Sequence, residues 1–350
     1  MTSEDTIIRL LQSQFVIKVD DAYHGESVKD FTMCIRQLRE LYKNIDISRY
    51  AAISAFVGKH SDYEGKGITM QMQNIHSLDR DNLVVNFLNE ETIQVLSSDG
   101  FDGNSLSNDT FVYCWNRDEN KADQFMIKGD LVPFSEEDTP VEGSFFAVKT
   151  YNDLDEALTN YRDNVALMCK GKALEDSMTP ARLFFYAAPE DLLQQALFEY
   201  LDSRLRQCDV KREHNVDESK PVDIMVKWRG TSHMALIEIK WVGKSLKTDR
   251  SGFSADYADA RARKGASQLV DYIDKNTDSF PRDVTTGYLA VYDLRRNKNN
   301  DPNRTTISRL DANYYKDKEI VFDTQYELTR KDFKRPYRFF VKVSNDAYQD

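Results

Sequence analysis

The sequence contains few of the residues that form disulfides or zinc sites. Its 350 residues include only four cysteines and five histidines. The cysteines, Cys34, Cys114, Cys169 and Cys208, show no Cys-x-x-Cys spacing. Such scattered cysteines are typical of reduced thiols in a cytoplasmic protein and argue against a structural zinc ion. The scattered histidines likewise argue against a histidine-rich metal site.

Long apolar runs and a basic leader are also missing. A membrane-spanning helix needs about 20 consecutive apolar residues, and no run in the sequence approaches that length. The first residues, from Met1 to Asp5, lack the basic flank of a signal peptide. We therefore expect a cytoplasmic protein with no membrane partner.

Positive charge is scarce, but it is unevenly distributed. The formal net charge is −11. Residues 1–175 contain 17 basic and 30 acidic side chains, whereas residues 176–350 contain 30 basic and 28 acidic ones. The second half is thus close to neutral and lacks the strongly basic surface of a tight DNA binder. If the ligand is nucleic acid, we expect weak intrinsic affinity, or help from a protein partner or a homo-oligomer.

Two neighbouring runs rich in β-forming residues are the most informative feature present. They cover residues 222–228 and 235–241, and residues 229–232 between them have the composition of a hairpin loop. If that loop has four residues, Trp228 pairs with His233. The register of the whole hairpin then follows from this pair.

This register brings two carboxylates together. Asp223 lies opposite Glu238, and directly opposed residues of an antiparallel pair have Cβ atoms about 4.5–5.5 Å apart. Lys240 is two residues beyond Glu238, so its side chain points to the same face. Two carboxylates can hold a divalent cation, and a neighbouring lysine can position or activate an attacking water. A metal-dependent phosphodiesterase needs this combination.

The motifs resemble those of a known family. Pro-Val-Asp at residues 221–223, followed by Glu-Ile-Lys at residues 238–240, is similar to the core motif of the PD-(D/E)xK nuclease superfamily, here with one residue between Pro and Asp. Downstream, Gln268 and Tyr272 resemble the Gln-x-x-x-Tyr helix motif of the RecB-like branch. The resemblance covers residues 188–294.

The resemblance implies a fold and a domain organisation. We expect an α/β restriction-endonuclease-like core at residues 176–350, in which a mixed central sheet is flanked by helices. Its elements would run helix, three strands, helix, strand if residues 209–213 supply the first strand. Residues 1–175 would form an α+β accessory domain for sensing, specificity or assembly, with the boundary between residues 170 and 188.

The amino-terminal half shows mixed signals and no recognisable chemistry. Helical apolar spacing predicts a helix at residues 30–42. Residues 83–87, 110–115 and 144–148 have the composition of strands, and a further helix is expected over residues 152–169.

The resemblance also assigns roles to the motif residues. It implies that Asp223, Glu238 and the carbonyl of Ile239 bind Mg²⁺ or Mn²⁺, hard cations that prefer oxygen ligands. It implies that Lys240 positions the attacking water. Alternatively, these residues have no catalytic role: Asp223 only begins a strand, and Glu238 and Lys240 form an exposed ion pair.

Further site residues are expected on two helices. Members of the family often carry a glutamate on the first helix, and Glu190 shares the apolar stripe of that helix whereas Glu199 does not. Alternatively, Glu190 only complements the helix dipole. Gln268 would support the lysine or a substrate phosphate and Tyr272 would brace the site, unless both are simply boundary residues of an amphipathic helix.

Basic residues follow the second motif strand. Glycines and serines within residues 243–264 predict a partly flexible loop. Its basic side chains would contact phosphates without reading sequence, or the segment is only a solvated loop of mixed charge. The side chains are Lys244, Lys247, Arg250, Arg261, Arg263 and Lys264.

The motif residues and the resemblance together predict a Mg²⁺-dependent nuclease, with an endonuclease favoured over other modes. The resemblance alone favours DNA over RNA as the substrate. Bacterial restriction or antiphage defence is the expected context. Two alternatives stay open. One is a catalytically silent nuclease fold that binds nucleic acid or serves as a scaffold, and the other is an RNA-processing nuclease.

Overall fold

The chain divides into two compact units, Met1–Lys149 with Gly230–His233, and Thr150–Arg229 with Met234–Asp350. Each unit has its own hydrophobic clusters and is described by itself. The structure is a computed structural model and describes residues 14–58, 63–78, 80–117, 123–134, 144–147, 150–206, 208–214, 222–277, 281 and 284–349.

Within its described residues, the first unit is built around one seven-stranded sheet with the strand order β2-β4-β3-β1-β5-β6-β7. The pair β1–β3 is parallel and the other pairs are antiparallel. The strands are β1 (Ala52–Val57), β2 (Ile68–Gln71), β3 (Asn82–Phe87), β4 (Thr92–Leu96), β5 (Val112–Asn116), β6 (Gln124–Ile127) and β7 (Asp130–Pro133). Its α-helical segments are residues 14–23, α1 (Ser27–Asn44) and α2 (Gly103–Leu106).

Helix α1 covers the sheet of the first unit through an apolar stripe. Phe31, Cys34, Leu38 and Leu41 recur at helical spacing and are buried, because this spacing places them on one side of the helix. The helix predicted at residues 30–42 is confirmed, as are the strands predicted at residues 83–87 and 110–115, which correspond to β3 and β5.

The strand predicted at residues 144–148 is wrong for the part that is described. Residues 144–147 form a turn. The Ser144 hydroxyl and the Phe145 N–H both donate to the carboxylate of Asp123, at 2.7 and 2.6 Å. The backbone bends around this buried acceptor and joins no strand. Val148 lies outside the described residues.

The second unit contains the segment with the motifs. Its helices are α3 (Tyr151–Asn160), which continues as a π-helical stretch (Tyr161–Ala166), α4 (Lys172–Asp176), α5 (Glu190–Arg204), α6 (Asp259–Lys275), α7 (Arg309–Asn313) and α8 (Tyr326–Thr329). Its strands are β8 (Cys208–His214), β9 (Val222–Trp228), β10 (Met234–Leu246), β11 (Phe253–Tyr257), β12 (Thr285–Asp293), β13 (Ile307–Ser308), β14 (Tyr337–Phe340) and β15 (Tyr348–Gln349).

Its main sheet is mixed and has helices on both faces. The order is β14-β12-β10-β9-β8, with β11 paired to β10. The pairs β14–β12 and β12–β10 are parallel, whereas β10–β9 and β9–β8 are antiparallel. Ala235, Ile237 and Ile239 of β10 belong to the hydrophobic cluster of α3 and α5. Leu236 and Val242, on the opposite face, belong to the cluster of α6. The predicted α/β class is confirmed.

The second unit begins at Thr150, whereas the sequence suggested a boundary after residue 175. Packing explains the difference, because Tyr151 and Leu154 of α3 lie in one hydrophobic cluster with Leu197 of α5. The helix predicted at residues 152–169 is therefore part of the second unit. The sensing, specificity or assembly role of the first unit stays a prediction.

The segment at residues 243–264 is not a loop. Strand β10 continues to Leu246, β11 pairs with it in antiparallel fashion, and α6 begins at Asp259. The hydroxyls of Ser245 and Ser254 lie 2.7 Å apart across this second hairpin. The expectation of a flexible loop was wrong, because these serines bond each other between paired strands. No helix among the described residues is long and apolar enough to cross a membrane.

Candidate active site

The candidate site lies where β9 and β10 run side by side. Met234 pairs with Lys227 and Ile237 pairs with Ile224, which is the register that a four-residue loop predicts. Continuing this register by one residue places Asp223 opposite Glu238. Strand β10 is central in the sheet, between β9 and β12, so these charged side chains are held where apolar residues usually stand.

The two carboxylates and the lysine are largely withdrawn from solvent. The side chains of Glu238 and Lys240 are only 12% and 11% exposed, and the Lys240 ammonium donates to Glu238 Oε1 at 2.5 Å. Asp223 Oδ2 accepts the backbone N–H of Ile239 at 2.6 Å. A buried charge requires such partners, and here two negative charges share one ammonium.

Burial and mutual repulsion weaken the acidity of both carboxyl groups. The pKa of Glu238 is raised to about 7, first by burial and then by the charge of Asp223, whereas Lys240 opposes the shift. Burial also raises the pKa of Asp223, against the lowering effects of the Ile239 N–H and of Lys240. The pair therefore binds protons more readily than ordinary carboxylates do, as expected of a largely buried site in which two carboxylates share one ammonium.

Gln194 is a site residue that the sequence did not reveal. It lies on α5, is buried, and donates from Nε2 to Asp223 Oδ1 at 3.0 Å. Arg212 of β8 donates to Gln194 Oε1 at 2.9 Å and to Asp191 Oδ1 at 2.5 Å. Because an arginine can only donate, it turns the amide of Gln194 so that its NH₂ group faces Asp223. The spacing of Gln194 four residues after Glu190 is the only signal that could have indicated it.

A glycine on α6 makes room for the lysine. A Cβ atom added to Gly265 would lie 2.5 Å from Lys240 Cγ and 3.1 Å from Leu289 Cδ1. Real side chains do not approach so closely, so the backbone of α6 packs directly over the aliphatic part of Lys240. This contact fixes the position of the lysine without any polar partner from the helix.

Of the two glutamates considered on the first helix, Glu190 lies nearer the site. It forms an ion pair with Arg261 of α6, and its charge contributes to the raised pKa of both Asp223 and Glu238. Glu199 is exposed and accepts a hydrogen bond from Gln195 instead.

The other motif residues lie on the periphery of the site or outside the described region. Gln268 is half-buried one turn beyond Gly265 on α6, and within the described part of the chain it makes no hydrogen bond to the carboxylates or to the lysine. Tyr272 is 9% exposed and packs in the hydrophobic cluster of α6. Pro221 lies outside the described residues.

The six basic residues divide into two groups. Three have acidic partners within 4 Å: Lys244 with Asp256, Arg261 with Glu190, and Arg263 with Asp323. The others are exposed, namely Lys247, Arg250 and Lys264. Ion pairing reduces the positive charge that the first group offers to a phosphate.

Within the described ranges, no group of three or more His, Cys, Asp or Glu side chains is arranged to hold a metal ion. The ligand set that the sequence predicts contains only two such side chains, and its third member is a backbone carbonyl. Comparisons with protein-family models, with curated protein sequences and with solved structures return no match. The functional interpretation therefore depends on the geometry of the site.

Proposed function

We propose that the second unit is a metal-dependent phosphodiesterase that acts as a nuclease. The observation that carries the proposal is the grouping of Asp223, Glu238 and Lys240 on one face of two paired strands, where both acidic groups are largely withdrawn from solvent and their pKa values are raised. A cluster of titratable groups with perturbed pKa values is a recognised indicator of a functional site.

The chemistry of the site suits Mg²⁺ or Mn²⁺. Asp223 and Glu238 supply hard oxygen ligands and one negative charge more than Lys240 neutralises. The N–H of Ile239 faces Asp223, and in a strand the C=O of a residue points to the same side as its N–H. The Ile239 carbonyl is therefore a reasonable third oxygen ligand. When bound, the cation would supply Lewis-acid polarisation of the phosphate and a more acidic water.

The side chains around the cation would each have a separate role in the reaction. Lys240, held against Glu238 and under Gly265, would position the attacking water and stabilise the charge that develops on the phosphate oxygens. Gln194 would keep the Asp223 carboxylate in one orientation. Glu190 and the turn of α6 that carries Gln268 would form the rim of the site.

The order of elements supports the resemblance to the PD-(D/E)xK superfamily. From α5 the chain runs through β8, β9, β10 and the added hairpin strand β11 to α6 and β12. Apart from β11, this is the helix, three strands, helix, strand order of the restriction-endonuclease-like core. The preference for DNA, the endonuclease mode, the cytoplasmic location and the restriction or antiphage context come from that resemblance and from the sequence. Few basic residues near the site are without acidic partners and available to contact phosphates. A partner protein or a homo-oligomer would supply additional contacts to nucleic acid.

The test is a cleavage assay with the full chain. Supercoiled, linear and single-stranded DNA, and RNA, are incubated with Mg²⁺, Mn²⁺ or EDTA. Wild type should cut with a metal and not with EDTA. Lys240→Ala should lose about 10²–10³-fold in rate, the typical effect of removing one transition-state stabiliser. Lys172→Ala is the matched control, because Lys172 forms an exposed ion pair with Asp176 on α4.

The outcome also separates the alternatives. Metal-dependent cutting of RNA in preference to DNA would favour the RNA-processing nuclease. Binding of nucleic acid without cutting under any condition would favour the silent fold. Cutting that Lys240→Ala leaves unchanged would contradict the assignment of the site.

A further inference from the structure

A polar cavity distinct from the candidate active site lies in the second unit, at the carboxyl ends of the parallel strands β10 and β12. Its volume is about 240 Å³, and its wall includes Gly243 and Lys244 from the end of β10, Tyr257 before α6, and Arg295 after β12. The crossover helix α6 joins these two strands. Crevices at the carboxyl ends of parallel strands are preferred ligand sites in α/β sheets.

The cavity is separate from the carboxylate pair. Lys244 follows Lys240 by four residues along β10, which corresponds to about 13 Å of extended strand. Neither Asp223 nor Glu238 contributes to its wall. A ligand held there would not compete with a cation at the candidate active site.

Positive charge dominates the wall. Four cations line the cavity, Lys244, Arg295, Arg296 and Lys298, whereas Asp256 is the one carboxylate in the wall. Lys244 lies 3.6 Å from Asp256, and this pair offsets part of the charge.

The partners behind the wall do not reverse this balance. Arg295 is paired with Asp293 and Asp259, and Asp293 is shared with a further cation, Arg338. Asp311 accepts a hydrogen bond from Asn297 of the wall. Among the described residues, five cations thus face four carboxylates in the wall and its immediate partners. The excess positive charge suits an anion.

Arg296 is the most unusual group in the wall. It is 7% exposed, and among the described residues no carboxylate lies within ion-pairing distance. Its guanidinium donates to the backbone carbonyls of Val341, Arg182 and Arg295 at 2.5, 3.2 and 2.9 Å and lies over the ring of Phe340. Among the described residues its Nε has no hydrogen-bond partner. An arginine buried without a carboxylate is costly, and a bound anion beside it would lower that cost.

The shape of the cavity limits the size of the anion. Two backbone segments approach closely at the wall of the cavity. Gly243 has φ +126°, and a Cβ atom on it would lie 3.0 Å from the carbonyl carbon of Leu294. A volume of about 240 Å³ corresponds to a cube about 6 Å on a side. The major groove of a duplex alone is about 12 Å wide, so a duplex does not enter. A phosphate with an attached sugar has the appropriate size.

We propose that this cavity binds a terminal phosphate, carried by the end of a nucleic-acid strand or by a free nucleotide. Lysine and arginine supply charge-assisted hydrogen bonds to the phosphate oxygens. Tyr257 and the amides of Asn297 and Asn300 in the wall offer polar contacts to the attached sugar or base. This inference goes beyond the nuclease proposal and does not depend on it, because it concerns binding alone.

The test measures binding of the full chain in EDTA by fluorescence anisotropy. Two labelled single-stranded oligonucleotides of one sequence are compared, one with a 5′-phosphate and one with a 5′-hydroxyl, and the comparison is repeated at the 3′ end. Wild type should bind one phosphorylated form about tenfold more tightly, as expected for loss of one hydrogen bond between charged groups. Inorganic phosphate and a deoxynucleoside monophosphate serve as competitors, to distinguish strand ends from free ligands.

The variants place the effect in the cavity. Lys298 is an exposed wall residue, so Lys298→Ala should fold normally and reduce the preference severalfold, whereas Lys298→Arg should restore it. Lys172→Ala on α4 is the control. Competition by inorganic phosphate without any preference for strand ends would assign the site to a free phosphate compound. Equal affinities together with no competition by either compound would overturn the proposal, whether or not the protein cuts nucleic acid.

Discussion

Buried carboxylates occur in both units, and their surroundings differ in kind. In the first unit Asp123 is 2% exposed. Its two oxygens accept hydrogen bonds from the Tyr113 hydroxyl at 2.5 Å, the Ser144 hydroxyl at 2.7 Å and the Phe145 N–H at 2.6 Å. Burial raises the pKa of Asp123 to about 6, and the three donors oppose this shift. One charge is matched here by three protein donors.

In the second unit two carboxylates stand together and have fewer donors. Glu238 accepts from Lys240 alone within the described residues, and Asp223 accepts from Ile239 and Gln194. Repulsion between the two adds to the effect of burial on the pKa of Glu238. The contrast indicates that Asp123 has a structural role, because it joins separate segments of the first unit through hydrogen bonds. The second site has unused acceptors and negative charge that a cation would neutralise.

The largest difference should appear when each carboxylate is truncated. Asp123→Ala leaves three buried donors without an acceptor, so the free energy of unfolding should fall by about 3–5 kcal/mol. Glu238→Ala should change it by less than about 1 kcal/mol at pH 8, because the lost hydrogen bond to Lys240 is offset by relief of the repulsion with Asp223. Urea denaturation followed by circular dichroism measures both values. If the free energy of unfolding falls equally in Asp123→Ala and Glu238→Ala, the two buried carboxylate sites do not differ in the way proposed.

The pH dependence of stability should come next in size. The pKa of Glu238 in the folded state, about 7, lies above its ordinary value of 4.5. The folded state thus binds this proton more tightly, and the associated stabilisation is present below pH 4.5 and is lost as the pH rises to about 7. In EDTA, wild type should lose on the order of 3 kcal/mol relative to Glu238→Gln over this range.

A control and a metal arm sharpen this experiment. Glu199→Gln replaces an exposed glutamate on α5 and should follow the wild-type curve. Saturating Mn²⁺ should stabilise wild type above pH 7 and leave Glu238→Gln nearly unchanged. If stability depends on pH in the same way in wild type and Glu238→Gln in EDTA, the pKa of Glu238 is not raised in the folded state.

Gly265→Ala tests the packing of Lys240. The added methyl group overlaps Lys240 Cγ, so the lysine must move or α6 must shift, at a cost of about 1–3 kcal/mol in stability. Cleavage should fall at least tenfold, as misplacing a catalytic group by about 1 Å can do. In Gly252→Ala the added methyl group would lie 3.9 Å from the end of the Lys247 side chain, so this control should retain stability and activity. Full activity in Gly265→Ala would show that the lysine position is not critical.

Gln194→Ala tests the orientation of Asp223. It removes the amide that orients Asp223, and loss of a residue that orients a metal ligand typically weakens metal binding about 10–100-fold. The neighbouring Gln195 bonds Glu199 on the surface of α5, so Gln195→Ala is a matched control. Calorimetric titration with Mn²⁺ measures the two affinities. If the two variants bind Mn²⁺ equally well, Gln194 does not act through Asp223.

The sequence predicted those parts of the site that depend on local geometry. A four-residue loop and the two-residue period of strands are sufficient to fix the hairpin register, so the opposition of Asp223 and Glu238 follows from counting residues. The helical stripe of α5 favoured Glu190 over Glu199; Glu190 is exposed, but it pairs with Arg261 and its charge acts on Glu238.

The remaining features depend on contacts between distant segments. Gln194 meets Asp223 because α5 packs on the sheet. Its spacing from Glu190 could indicate its side of α5, but not this contact. The turn at residues 144–147 has the composition of a strand, but it forms around Asp123, which is distant in sequence. The start of the second unit at Thr150 depends on the packing of α3.

The most direct test of the account counts Mn²⁺ ions bound to the full chain by electron paramagnetic resonance. Wild type should bind at least one ion, and Glu238→Gln and Asp223→Asn should each lose one. Asp176→Asn, which removes an exposed carboxylate of α4, should keep the wild-type number. If Glu238→Gln and Asp223→Asn both bind as many ions as wild type and with the same affinity, the carboxylate pair is not a metal site and the account is contradicted.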